Sequence, residues 1–217
     1  MRDAQPIRVV VITDRRLCDD VPARLAALLA HAPRGSVLVQ IREKDLDGRP
    51  LLALARDVLA VARPAGAPVW INDRVDVALA AGADGVHLPE HGLSLADACA
   101  AASAIGRSLA LGCSRHAADA VLAAGRDGAA LVQYGPIWAT PGKGEPLGTD
   151  ALAIRYELAP TTRLVAVGGI DGPARARHAT IAGADAVAVI RAAWQGAPDV
   201  IGTLVEAVEA GVRMRSA

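Results

Sequence analysis

Several short stretches of this chain carry side chains able to hold an anion or redistribute charge. Gln40-Ile41-Arg42-Glu43-Lys44 spaces an amide, a guanidinium and an ammonium two residues apart. On an extended strand that spacing sends Gln40, Arg42 and Lys44 to one face. Such a row is costly in a dry core, so it is expected to meet an anion, the alternative being a surface edge of Arg–Glu pairs. Asn72-Asp73 suits either a hard cation or the cap of a following helix. His87 and His91 flank Pro89-Glu90 and, as lone histidines, read first as structural residues. Ser114, followed by Arg115 and His116, can donate to a ligand or cap the next helix. Residues 135–148 form a Gly- and Pro-rich loop carrying Thr140, Pro141, Gly142 and Lys143, and irregular loops of this length are usually functional or disordered. Gly168-Gly169 permits close backbone approach to an anion, with Ile190-Arg191 as a further basic point.

The elements that must position these groups alternate regularly. Short β-branched runs predict strands over 8–13, 37–42, 68–72, 85–88, 109–113, 130–134, 164–167 and 186–190. Between and after them, helical patterns cover 23–32, 51–62, 75–81, 95–105, 117–124, 151–158, 174–182 and 201–214. The strands are continuous apolar runs, which indicates burial on both faces and parallel pairing. Eight strand–helix units predict an α/β fold, a single (β/α)8 TIM barrel spanning residues 1–217. An open doubly wound sheet is the alternative, weakened because no Gly-x-Gly-x-x-Gly follows the first strand. Every stretch named above then falls at a strand's C-terminal end, where barrel enzymes carry their chemistry, with the usual phosphate cradle after strands 7 and 8. Ala81-Gly82-Ala83-Asp84 and Ala182-Gly183-Ala184-Asp185 repeat one pattern, and Ala124-Gly125-Arg126-Asp127 is a looser copy. These read as helix-to-strand turns on the opposite, stabilising face.

Composition excludes several classes. The 217 residues hold 23 basic and 23 acidic side chains, so the formal charge is zero, and only three Trp and two Tyr, with no Phe. A nucleic-acid partner, which needs a basic footprint and stacking platforms, is not expected. Although 53% of the residues are apolar, no charge-free run reaches the ~18 residues of a membrane span. The polar start leads into only four apolar residues, so no signal peptide is expected. Cys18, Cys99 and Cys113 lack metal-ligand spacing and read as packed thiols of a reduced, cytoplasmic protein. The residues alone thus point to a phosphate-handling barrel with a second, more basic anion site near strands 2 and 6.

One family shows a similar series in the same order. Gln40-Ile41-Arg42-Glu43-Lys44, Ile71-Asn72-Asp73-Arg74-Val75-Asp76, Gly82-Ala83-Asp84-Gly85-Val86-His87-Leu88, Gly135-Pro136-Ile137-Trp138-Ala139-Thr140, Val167-Gly168-Gly169-Ile170 and the run 182–190 resemble the thiamine phosphate synthase / thiazole tautomerase (TenI-like) family over nearly the whole chain. The resemblance implies a barrel enzyme joining hydroxymethylpyrimidine diphosphate to thiazole phosphate with release of diphosphate. It implies that Gln40, Ile41, Arg42, Glu43, Lys44, Asn72, Ser114 and Lys143 bind the pyrimidine diphosphate, with Arg42, Lys44 and Lys143 stabilising the departing charge. Thr140, Pro141, Gly142, Gly169, Ile190 and Arg191 match the thiazole phosphate site, and Asp73 matches a ligand of Mg2+. The partners implied are small phosphorylated molecules, and barrels of this size often form homo-oligomers.

The chain departs from that pattern in three places. Gly92 stands where the synthases carry a second metal-binding Asp, with Glu90 as a conceivable substitute at a different backbone position. Gly142 replaces a second loop Thr, and Arg191 replaces a Ser. The Leu88–Ser94 stretch is closer to the tautomerase branch, in which His116 matches an acid–base residue. Isomerisation of a thiazole carboxylate phosphate is therefore the alternative activity, and binding of thiamine precursors without turnover a third. Neither Cys113 nor Ser114 is expected to act as a nucleophile.

Overall fold

A computed structural model describes residues 6–216. Eight strands, β1 (Val9–Ile12), β2 (Val37–Ile41), β3 (Val69–Asn72), β4 (Gly85–Leu88), β5 (Ala110–Arg115), β6 (Leu131–Tyr134), β7 (Arg163–Val167) and β8 (Ala186–Val189), close in chain order into a barrel. All pairings are parallel, including β1 with β8. The helices are α1 (Val21–Ala30), α2 (Gly48–Ala62), α3 (Val75–Ala81), α4 (Leu95–Ser103), α5 (Ala118–Arg126), α6 (Pro173–Ala182), α7 (Arg191–Gln195) and α8 (Val200–Arg215). No described helix is long and apolar enough to cross a membrane.

Alternation along each strand divides the core in two. Val9, Val11, Val39, Ile41, Ile71, Leu88, Cys113, Val132 and Leu164 pack outward against the helices. Val10, Ile12, Leu38, Trp70, Leu131, Val165, Ala186 and Ala188 fill the barrel. Trp70 occupies the middle of that interior. A Cβ on Gly85 would stand 2.6 Å from its Nε1, and one on Gly112 2.4 Å from its Cζ3. Those two glycines are the space the indole needs. Trp70 is 5% exposed, so it packs below the mouth.

The repeated turns do one job. After Gly82 ends α3 in the left-handed conformation (φ 66°), Asp84 accepts from the backbone N–H of Val69 at 2.8 Å. Asp185 accepts from that of Leu164 at 3.0 Å and also pairs with Arg155 and Arg215. Each aspartate thus caps the start of the preceding strand from the turn into the next one.

Three expected elements differ. Residues 149–157 form a 3-10 helix (Thr149–Glu157) instead of an α-helix. The long loop leaves only this short, half-apolar piece between β6 and β7. Strand β2 stops at Ile41 and β5 runs on to Arg115, which moves Lys44 off a strand and Ser114 onto one. Of the cysteines, Cys113 is buried, Cys18 half-buried and Cys99 exposed, so Cys99 is not a packed thiol.

Candidate active site

The inward-facing residues at the C-terminal ends of the strands form a floor with two halves. From β2 to β6 it is polar: Gln40, Asn72, His87, Ser114 and Gln133. From β7 round to β1, Val167, Ile190 and Ile12 continue the apolar interior. Gln133 Nε2 donates to Gln40 Oε1 at 2.6 Å, and Gln40 Nε2 donates to Asn72 Oδ1 at 3.1 Å. His87 Nε2 meets Ser114 Oγ at 2.8 Å. Buried amides and imidazoles persist in a core only when bonded in this way. His87 is fully enclosed, and burial, reinforced by the charges of Arg115 and Arg42, lowers its pKa to about 3. It is a neutral ring.

Sequence alone offered a choice between ligand and cap for two of these residues, and the geometry excludes the cap. Ser114 caps no helix, because α5 begins at Ala118 with Ala117 as its cap residue. The cap residue of α3 is Arg74, with no side-chain bond, so neither Asn72 nor Asp73 serves as one. Asp73 has a φ of 67°, the one described non-glycine residue in the left-handed region. Strain of that kind collects at functional positions.

Above the floor, the QIREK stretch splits by side. Gln40 and Arg42 face inward, whereas Ile41 is 1% exposed against the helix layer. Glu43 is buried too, and accepts from the Arg15 backbone N–H at 3.1 Å. Its side chain fastens the loop after β1; burial raises its pKa. Lys44 does not continue the strand face: the chain turns after Ile41, and Lys44 is exposed in that turn. The physical reason is that the backbone ladder with β1 ends where Gln40 pairs with Ile12, and beyond it the Arg42 N–H donates to the Thr13 hydroxyl at 3.0 Å instead of to a strand carbonyl.

The β6 loop is anchored at its root. Ile137 and Trp138 donate to the carbonyls of Val167 and Gly168, and Leu147 donates back to Pro136. Thr140 to Lys143 is a β-turn, Lys143 N–H donating to Thr140 O at 3.1 Å, with Gly142 at φ 73°. Pro followed by a positive-φ Gly is what a type II turn requires, which accounts for Gly142 where a Thr was expected. Gly168 and Gly169 have φ of 97° and 69°, and a Cβ on either would lie 2.6 Å from Pro136 or Trp138. Their carbonyls accept from Trp138 N–H and from Arg175. Their N–H groups donate to no described residue, as an anion cradle needs. Ile190 caps α7, and Arg191 is its first residue.

Charge is sorted at this mouth. Arg15 pairs with Asp45 and Glu43, Arg16 with Asp14, Arg74 with Asp76 and Arg175 with Asp171. Arg42, Lys44, Arg115, Lys143 and Arg191 form no ion pair with a described residue. His116 is half-exposed, with Nδ1 against the Glu90 carboxylate. Burial raises the Glu90 pKa, but its hydrogen bonds and charge interaction with His116 outweigh that and leave it lowered. Glu90 is therefore committed to His116. A Cβ on Gly92 would stand 2.9 Å from Asp73 Oδ1, so the position lacking a carboxylate does lie beside Asp73. No cluster of three or more His, Cys, Asp or Glu able to hold a metal occurs among the described residues. Asp73 fits Mg2+ only in the manner of a cation held mainly by water and substrate phosphates.

Sequence reasoning missed Gln133 and gave His87 no partner. A glutamine in the apolar run Leu131–Tyr134 was the available signal for the first.

Comparison with known proteins gives a consistent picture. The family model described as thiamine monophosphate synthase matches residues 9–193. A putative thiamine-phosphate synthase of Geobacter sulfurreducens is 42% identical over 191 residues, covering 84% of each chain. A thiamine-phosphate synthase of Chloroflexus aurantiacus is 40% identical over 189 residues, 85% of this chain and 84% of that one. Among solved structures, thiamine phosphate pyrophosphorylase from Pyrococcus furiosus superposes with a TM-score of 0.81 at 28% identity, covering 95% of this chain and 97% of the other. A geranylgeranylglyceryl phosphate synthase from Thermoplasma acidophilum, at TM-score 0.66 and 17% identity, shares the fold.

Proposed function

The chain belongs to the thiamine monophosphate synthase family, and from that premise we propose that it is a transferase joining hydroxymethylpyrimidine diphosphate to thiazole phosphate. The observation that carries this reading is the charge sorting at the mouth: cations without carboxylate partners, above a neutral floor of hydrogen-bonding groups. In the reaction the carbon–oxygen bond to diphosphate breaks, leaving a pyrimidinylmethyl cation and free diphosphate. The thiazole nitrogen then forms the new carbon–nitrogen bond.

Arg42, Lys44 and Lys143 hold the diphosphate and offset the charge that develops as it leaves. Asn72 and Ser114 present polar groups to the pyrimidine. Thr140, Pro141 and Gly142, the N–H groups of Gly168 and Gly169, and Arg191 receive the thiazole phosphate. Mg2+, when bound, neutralises the departing diphosphate, and Asp73 is the residue that would hold it. No protein nucleophile is needed. Cys113 cannot supply one: it faces the helices, and burial pushes its thiol up to about 11. Three free thiols suit a cytoplasmic setting.

The test is incubation with pyrimidine diphosphate and thiazole phosphate, with and without Mg2+. Diphosphate release that requires both substrates and the metal is the expected result, and Lys143→Ala should reduce it by about 100-fold or more. The pair Glu90–His116 favours one second reading, isomerisation of a thiazole carboxylate phosphate, since a carboxylate on Nδ1 orients Nε2 for proton transfer. Isomerisation without pyrimidine or metal, abolished by His116→Ala and untouched by Lys143→Ala, would replace the transferase reading.

A further inference from the structure

Gln133 faces the barrel axis from β6 and is 3% exposed. Through its bond to Gln40 and the next bond to Asn72, three amides from β6, β2 and β3 form one directed chain across the floor. Gln40 lies in the middle, 2% exposed, with both ends of its amide engaged. The chain's free ends are Gln133 Oε1, an acceptor, and Asn72 Nδ2, a donor. Neither is among the enclosed side-chain atoms without a partner, which are Arg8 Nε, Arg24 Nε and His87 Nδ1.

Ser114 pairs in register with Gln133 on the adjacent strand. Its hydroxyl polarity follows from His87. The neutral ring has one N–H; placed on Nδ1 it would be a buried donor with no partner, the rarest kind of unsatisfied group. Placed on Nε2 it donates to Ser114 Oγ, which leaves the serine O–H to donate into the mouth. The floor therefore offers an acceptor and a donor side by side, from Gln133 and Ser114.

We propose that Gln133 is a specificity-determining residue for the pyrimidine: its Oε1 accepts from the exocyclic amine of an aminopyrimidine, while Ser114 donates to the neighbouring ring nitrogen. This rests on the transferase reading above. The middle amide, Gln40, acts as a positioning residue that holds the Gln133 and Asn72 ends in place. An amine and a ring nitrogen match that acceptor–donor order, whereas an oxo ring with N–H beside it reverses both.

The experiment compares kcat/KM for pyrimidine diphosphate and its deaminated oxo counterpart, alongside calorimetric binding of each. Wild-type protein should prefer the amine by about 100-fold or more, since sites built on hydrogen bonds reject mismatched polar analogues strongly. Gln133→Leu, with Gln133→Met read in parallel in case leucine fails to fold, should shrink the preference to within about fivefold while leaving the KM for thiazole phosphate unchanged. A folded Leu or Met variant that binds thiazole phosphate and still prefers the amine overturns the role of Gln133 but leaves the transferase reading standing. Wild-type protein that binds neither pyrimidine overturns both.

Discussion

At His87 a proton would have to enter a fully enclosed ring beside Arg42 and Arg115, which is why its pKa falls from 6.5 to about 3. The unfolded chain binds that proton near pH 6.5 and the folded protein does not. Stability from this group is therefore complete above pH 6.5 and is lost as pH falls towards 3, by up to about 1.4 kcal/mol per pH unit. Urea midpoints of wild type and His87→Gln between pH 7 and pH 5 should show the variant losing about 2 kcal/mol less over that interval. Asp73 makes the opposite trade. Its side chain has no described hydrogen-bond partner, and its φ of 67° favours glycine. Asp73→Gly should raise stability by about 0.5–1 kcal/mol, read from the melting temperature, while increasing the Mg2+ concentration needed for half-maximal turnover.

Among the elements, β3, β4 and β5 depend on one another through Trp70. A Cβ at Gly112 meets the indole at 2.4 Å and the Leu131 carbonyl at 3.0 Å. Gly112→Ala should cost about 1–3 kcal/mol in denaturant unfolding, as overpacked cores do. Adding Trp70→Phe, which removes the clashing edge of the ring, should restore part of that loss; additive costs would show the indole is not the obstacle. The same stretch shows how far patterns carry. Glycine within β4 and β5 was visible in the sequence, but its cause, a ring from a neighbouring strand, is a contact between residues far apart in the chain. The helix-to-strand repeat was more legible, because Gly82 and Asp84 act within one turn.

For the molecule as a whole, zero net charge conceals a division between paired and unpaired groups. Five cations at the strand ends lack a described carboxylate partner, while most nearby arginines are matched. Screening falls on exposed charges first. Raising salt from about 0.05 to 0.5 M should raise the KM for the pyrimidine diphosphate several-fold, leaving the melting temperature within a few degrees. The barrel and its strand order were legible in the chain, since periodicity and turn residues are local and the parallel fold follows from their alternation. What each polar residue touches was not. Which of Gln40, Ile41, Arg42, Glu43 and Lys44 face inward depends on where β2 loses its partner. That Gln133 joins Gln40 and Asn72, or that His87 stays neutral against Ser114, depends on closure of the barrel. Only closure brings β2 and β6, ninety-three residues apart at Gln40 and Gln133, within one hydrogen bond.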